Sequence, residues 1–206
     1  MNALKANLTR DYIILVDKSG SMQGHRWHEA SMALQALAGE VCRADPDGAT
    51  LVFFSTAGTL QRFANITSAG KVQELFSTVH PGGTTDLGGA LTAVLNEHFD
   101  PHARVKPGYP PGHAPTTILV ITDGEPDDAG EVMRVLINAS NALLADAELS
   151  VTFIQVGDDE DAARFLRTLD DGLVPKGARF DIVDTVTKDK MLGMSFADLI
   201  FKSLHD

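Results

Sequence analysis

The sequence predicts a doubly wound α/β fold: a mostly parallel sheet with one antiparallel edge strand and helices on both faces. Three observations lead there. Short apolar runs without polar alternation recur along the chain, as expected of strands buried on both faces. Segments of helical spacing separate them, which implies right-handed crossovers between parallel strands. One pair of strands is separated only by a short Ala57-Gly58 turn, which makes an antiparallel hairpin.

The first strand is Asp11–Asp17, D-Y-I-I-L-V-D, with Ile13, Ile14, Leu15 and Val16 unbroken. The small, polar residues 18–24 form a loop. Residues 27–42 place Trp27, Ala30, Leu34, Leu37, Ala38 and Val41 near helical spacing, an amphipathic helix that faces the sheet. Asp45-Pro46-Asp47-Gly48 has turn chemistry. Residues 50–55, T-L-V-F-F-S, are the second strand, and 60–66 the edge strand of the hairpin. A short helix covers 69–79, Pro81-Gly82-Gly83 breaks it, and helical spacing resumes over 87–98. Residues 99–115 carry five prolines and form an irregular surface loop. A core strand follows at 117–122, T-I-L-V-I-T, then a helix at 129–144, a strand at 149–156 and a helix at 158–169 capped by Asp158 or Asp159. A short strand at 180–186 and an amphipathic helix at 195–204, capped by Ser195, close the chain. The whole is a Rossmann-like arrangement read as one domain over 1–206, with residues 1–10 as an N-terminal extension.

The formal net charge of −11 argues against nucleic acid and anionic membranes as partners, since both demand a basic surface. It suits a chain that collects cations or meets basic surfaces. The one cysteine, Cys42, makes neither an internal disulfide nor a multi-thiolate zinc site and is expected to be buried on the helix face. With no apolar signal segment at the N-terminus and no bilayer-length apolar run, the expected compartment is the cytoplasm.

Ligands of such sheets sit beyond the carboxyl ends of the strands, and three loops there carry oxygen donors. In Asp17-Lys18-Ser19-Gly20-Ser21-Met22 a carboxylate and two alternate hydroxyls converge around a tight turn. Gly82-Gly83-Thr84-Thr85-Asp86-Leu87 precedes a helix, and in Thr122-Asp123-Gly124-Glu125 an aspartate again ends a buried strand. Each loop alone has a plain structural explanation as a helix cap or turn. Together they supply hard oxygen ligands for Mg²⁺, with Ca²⁺ or Mn²⁺ also compatible, and leave positions for water or a visiting ligand.

D-K-S-G-S-M, G-G-T-T-D-L-G-G-A-L and I-T-D-G resemble the metal-ion-dependent adhesion site of the von Willebrand factor type A domain, and the resemblance runs from Asp11 to about Leu204. It implies metal ligation by Asp17, Ser19, Ser21, Thr85 and Asp123. Thr85 rather than Thr84 is selected by its step to Leu91. It also implies that an acidic residue of a protein partner completes the coordination, so that the cation turns repulsion between two acidic groups into attraction. Lys18 is expected to point away from the metal, with Asp86, Glu125 and Asp127 near the mouth, acting through waters or only as a solvated rim. More loosely, residues 157–173 and 180–185 are similar to type A domains of bacterial tellurite-resistance proteins.

Other chemistries fit less well. His25 and His28 are spaced i, i+3 but do not form H-E-x-x-H, and read as polar residues of a first helical turn. A haloacid-dehalogenase-like phosphatase would use Asp17 as nucleophile, yet its general acid would stand where Ser19 is. Ser21 lacks a nucleophile elbow, and no phosphate-binding P-loop occurs. A scaffold domain stiffened by its metal is the remaining alternative, and no enzymatic activity is expected.

Overall fold

The computed structural model describes residues 10–45, 48–100 and 115–186, without the side chains of 39, 40 and 42–44. The expectations for the Cys42 side chain, for residues 1–9, for the body of the Pro-rich loop and for the 195–204 helix lie outside the described residues. Among these residues, six strands form one sheet: β1 (Asp11–Asp17), β2 (Ala49–Phe54), β3 (Leu60–Ile66), β4 (Thr116–Thr122), β5 (Leu149–Gln155) and β6 (Val183–Val186). The order is β3-β2-β1-β4-β5-β6, and every neighbouring pair is parallel except β2 with β3. The helices are α1 (His25–Ala44), α2 (Ala69–Thr78), α3 (Leu87–Phe99), α4 (Ala129–Ala142) and α5 (Glu160–Gly172).

The unbroken apolar strands are buried on both faces. Ile13 and Leu15 of β1 and Ile118 and Val120 of β4 pack with Leu91 and Val94 of α3, Leu136 of α4 and Leu166 of α5. The alternate residues Ile14, Val16, Leu119 and Ile121 pack with Leu34 and Leu37 of α1 and Val72 and Leu75 of α2. At the start of α1, Trp27 stacks between Phe53 and Phe76, with ring centroids 5.6 and 4.5 Å away, and its Nε1 donates to the Phe76 carbonyl. These contacts fix the first turn of α1 over the sheet.

Several boundaries differ from the sequence expectation by one to three residues, and two of them have a clear basis in the sequence or its contacts. The strand expected at 180–186 is shorter, because Ser140 on α4 bonds both the N–H and the carbonyl of Phe180 through its Oγ. Pairing with β5 is taken up at the Ile182 carbonyl, which accepts from Val151 N. Helix α1 begins at His25, two residues before the apolar pattern, in agreement with the reading of His25 and His28 as polar residues of its first turn.

From β1 the chain passes through α1 to β2 on one side, then returns through α2 and α3 to β4 on the other. The strand order thus reverses between β1 and β4. Crossovers leave opposite faces there, the point at which sheets of this kind place ligands beyond the strands' carboxyl ends. Asp17 ends β1 at that point, and Asp123 follows the end of β4.

Candidate metal centre

Asp17 is the last residue of β1 and is fully buried. Its Oδ1 accepts from the Ser19 N–H at 2.7 Å, which folds the chain back after the strand. Its Oδ2 accepts from the Thr122 hydroxyl at 2.9 Å, a contact between the ends of β1 and β4. Burial pushes the Asp17 carboxyl up to about 6; the hydrogen bonds from Ser19 and Thr122 oppose the rise, and the Asp123 charge adds to it.

The loop after Asp17 makes a short 3₁₀ turn over Gly20–Met22, anchored by the buried Met22. Ser19 Oγ lies 2.9 Å from Ser21 Oγ, and Ser21 Oγ donates to Asp123 Oδ1 at 2.9 Å. Four of the five expected ligands, Asp17, Ser19, Ser21 and Asp123, are therefore joined by a short run of hydrogen bonds around one spot.

Thr85 reaches the site differently. Among the described residues, no hydrogen bond links its side chain to the other four. Its loop is held by backbone contacts: Gly82 N donates to the Lys18 carbonyl at 2.7 Å and Gly20 N to the Gly83 carbonyl at 3.0 Å. Gly83 has φ +93°, and a Cβ there would collide with the Thr56 hydroxyl, so this close approach requires glycine. On the other side, Thr85 N donates to both Asp127 carboxylate oxygens at 3.1 Å, and Asp127 N donates to the Thr85 carbonyl at 3.0 Å. Asp127 thus clamps the second loop to the third. Asp86 caps α3, accepting from Gly89 N at 3.0 Å, and Lys18 Nζ donates to Ser55 Oγ at 3.1 Å.

The residue that sequence reasoning passed over is Arg26. Its Nη1 donates to Asp123 Oδ2 at 2.6 Å and to the Ser21 carbonyl at 3.3 Å. The Asp123 side chain is 1% exposed and the Arg26 side chain 33%. The guanidinium stem lies against Gly157, where an added Cβ would stand 2.9 Å from Arg26 Nε. Glu29, one turn on, accepts from Gly157 N at 3.0 Å. The sequence did hold a signal: a cation on the first turn of a helix opposes the helix dipole, so its presence there implies an anion nearby.

The chemistry of the donor set fits a hard divalent cation. Its donors are all oxygens, two carboxylates and hydroxyls, and among the described residues no cluster of three His, Cys, Asp or Glu side chains is grouped to hold a metal. Asp17 and Asp123 are both buried, and Arg26 pairs with Asp123. Among the described residues, no Lys or Arg pairs with Asp17.

Several solved structures share the fold. Manganese-loaded TRAP protein from Plasmodium vivax superposes with a TM-score of 0.65 at 20% identity, covering 93% of this chain and 74% of that one. The SpRpn10 VWA domain gives 0.59 at 11% identity, covering 94% and 95%. The pilus adhesin SpaC from Lactobacillus rhamnosus GG gives 0.59 at 12%, covering 96% of this chain but only 30% of the adhesin. At these identities the likeness speaks for the fold alone. No curated protein matches the sequence. Among the described residues, no helix is long and apolar enough to cross a membrane. The model of the von Willebrand factor type A domain matches residues 11–188, nearly the whole chain, and the protein belongs to that family, whose members often mediate metal-dependent protein interactions.

Proposed function

We propose that this domain binds one divalent cation through Asp17, Ser19, Ser21, Thr85 and Asp123, and through it grips a protein partner that presents an aspartate or glutamate. The observation that carries the reading is the linked set Ser19–Ser21–Asp123, with Asp17 beside it, at the reversal point of the sheet. Asp17 and Asp123 are both buried, and the burial of such carboxylates is what a bound cation would offset. All-oxygen ligation favours Mg²⁺, with Ca²⁺ and Mn²⁺ compatible. The manganese in the P. vivax TRAP structure supports divalent binding in the family. The bound cation would supply a positive centre able to accept a partner's carboxylate; Thr122 and the Ser19 N–H would hold Asp17 in place, and Asp127 would hold the Thr85 loop. Ser19 stands where a phosphatase of this plan would place its general acid, and among the described residues no other group takes that role beside Asp17, which supports a binding role. A setting akin to tellurite resistance rests on the loose likeness of residues 157–173 and 180–185 alone, and a cytoplasmic one on the lack of an apolar signal segment in this sequence.

Calorimetric titration with Mg²⁺ and Mn²⁺ tests the site. Asp17→Ala and Asp123→Ala should abolish the heat of binding while the fold persists; undiminished heats in either variant would overturn the assignment. Capture of a partner from native lysate should vanish with EDTA. Capture that is indifferent to EDTA in a protein that binds the metal would reduce the cation to a stiffener of the loops.

A further inference from the structure

We infer that Arg26 is a resident counter-cation of this site, which a divalent cation must displace from Asp123. The inference rests on the cation reading above and adds its regulation. Both Asp123 oxygens are engaged, Oδ1 by the Ser21 hydroxyl and Oδ2 by the guanidinium at 2.6 Å. A hydroxyl carries no charge and can turn to offer a lone pair. A guanidinium has no lone pair to offer and repels a second cation brought to the same carboxylate. Arg26 and the metal therefore compete for Asp123.

The structure lets Arg26 leave. Its side chain is one-third exposed, so water can receive the guanidinium, whereas Asp123 is held inside. Departure from the first turn of α1 also relieves an unfavourable interaction with the helix dipole. The seat it would vacate is purpose-shaped: Gly157, at φ +76°, has no side chain to obstruct the stem, and Glu29 bonds the Gly157 N–H from the adjacent turn. Displacement of Arg26 thus frees a cation at the rim, beside the β5–α5 loop, at the moment the metal arrives. The freed guanidinium is placed to meet the same acidic partner that the metal attracts.

Coupling between two bound groups commonly changes affinity by between about 5- and 150-fold, and release of an arginine that competes for one of several ligands is expected within that range. Titration of the full chain with Mg²⁺ and with Mn²⁺ at fixed ionic strength should show Arg26→Gln binding roughly tenfold more tightly than wild type. Unchanged or weaker binding would overturn the inference, since it would mean that Arg26 supports Asp123 in the loaded site. If wild type binds and Arg26→Gln does not tighten, only the displacement falls. If neither binds, the cation reading falls and this one with it. A second measurement needs no variant. The Arg26 Nε–H resonance in an ¹⁵N spectrum of wild type should shift and lose protection from solvent as Mg²⁺ is added; an unaltered resonance at saturating Mg²⁺ would refute displacement.

Discussion

Replacing Asp17 by Asn should stabilise the metal-free protein at neutral pH, although it destroys the site. The Asp17 carboxyl is fully buried, and its value rises from 3.8 to about 6. That rise of about two units corresponds to about 3 kcal/mol of destabilisation when the group is ionised, at 1.36 kcal/mol per unit. The sign follows from proton counting. Between pH 4 and 6 the folded chain holds more protons at this site than the unfolded chain does, so stability falls as pH rises. The contribution is intact below about 4, is lost as pH passes through about 6, and the full penalty applies above that. Asn is isosteric and uncharged. Its carbonyl can still accept from Ser19 N, and its amide can donate to the Thr122 hydroxyl, which is able to accept.

Urea unfolding in EDTA, at pH 4.5 and pH 7.5, measures the effect. Asp17→Asn should exceed wild type by about 1–3 kcal/mol at pH 7.5, the upper figure being the whole burial penalty, and should differ little at pH 4.5. Added Mg²⁺ should reverse the order at pH 7.5. A ligand at about 1,000 times its Kd stabilises the wild type by about 4.1 kcal/mol, and the variant has no site to fill. If Asp17→Asn is the less stable protein in EDTA at pH 7.5, the hydrogen bonds to the carboxylate outweigh its burial, and the charge argument is wrong.

Thr122→Val removes the hydroxyl that Asp17 Oδ2 accepts from, and should destabilise the metal-free protein by about 1.5–3 kcal/mol at pH 7.5 and by less at pH 4.5, read by urea midpoints. Gly83→Ala forces a Cβ into a positive-φ position against the Thr56 hydroxyl; it should cost about 1–3 kcal/mol and weaken Mg²⁺ binding, since the Thr85 loop can no longer lie as close to Lys18 and Gly20. Asp159→Ala removes the cap that accepts from Asp161 N and Ala162 N at the start of α5, and should cost about 1 kcal/mol in thermal melts with Mg²⁺ affinity unchanged.

The fold was legible because the physical signals were local. Four apolar residues in a row between polar neighbours, as in Ile13 to Val16, leave few alternatives to a strand buried on both faces, and the sheet order follows from crossovers of fixed hand. Asp17 and Asp123 were legible for the same reason: a carboxylate that ends such a run must stand at the carboxyl edge. Where signals were not local, the reading stopped short. Ser140 cut the last strand back through a contact spanning 40 residues, which no periodicity reports. Asp127, expected near the mouth, proved to be the clamp of the Thr85 loop across 42 residues.

Arg26 is the most instructive omission, because its neighbours His25 and His28 drew attention to metal ligation while the arginine between them held the charge. The pair joins positions 97 apart, and its seat needs a glycine more than a hundred residues further on. Sequence patterns report donors that sit on regular elements; they do not report how a buried charge is balanced. Yet the balance decides behaviour. Asp123 has a guanidinium at 2.6 Å, whereas Asp17 is held by hydrogen bonds and burial pushes its carboxyl up to about 6. Among the described residues, Asp123 has its counter-charge within the chain, and no Lys or Arg pairs with Asp17. A divalent ion that binds both must offset the burial of Asp17 and outbid the arginine on Asp123, so the weaker partner in each contest sets how readily the site loads.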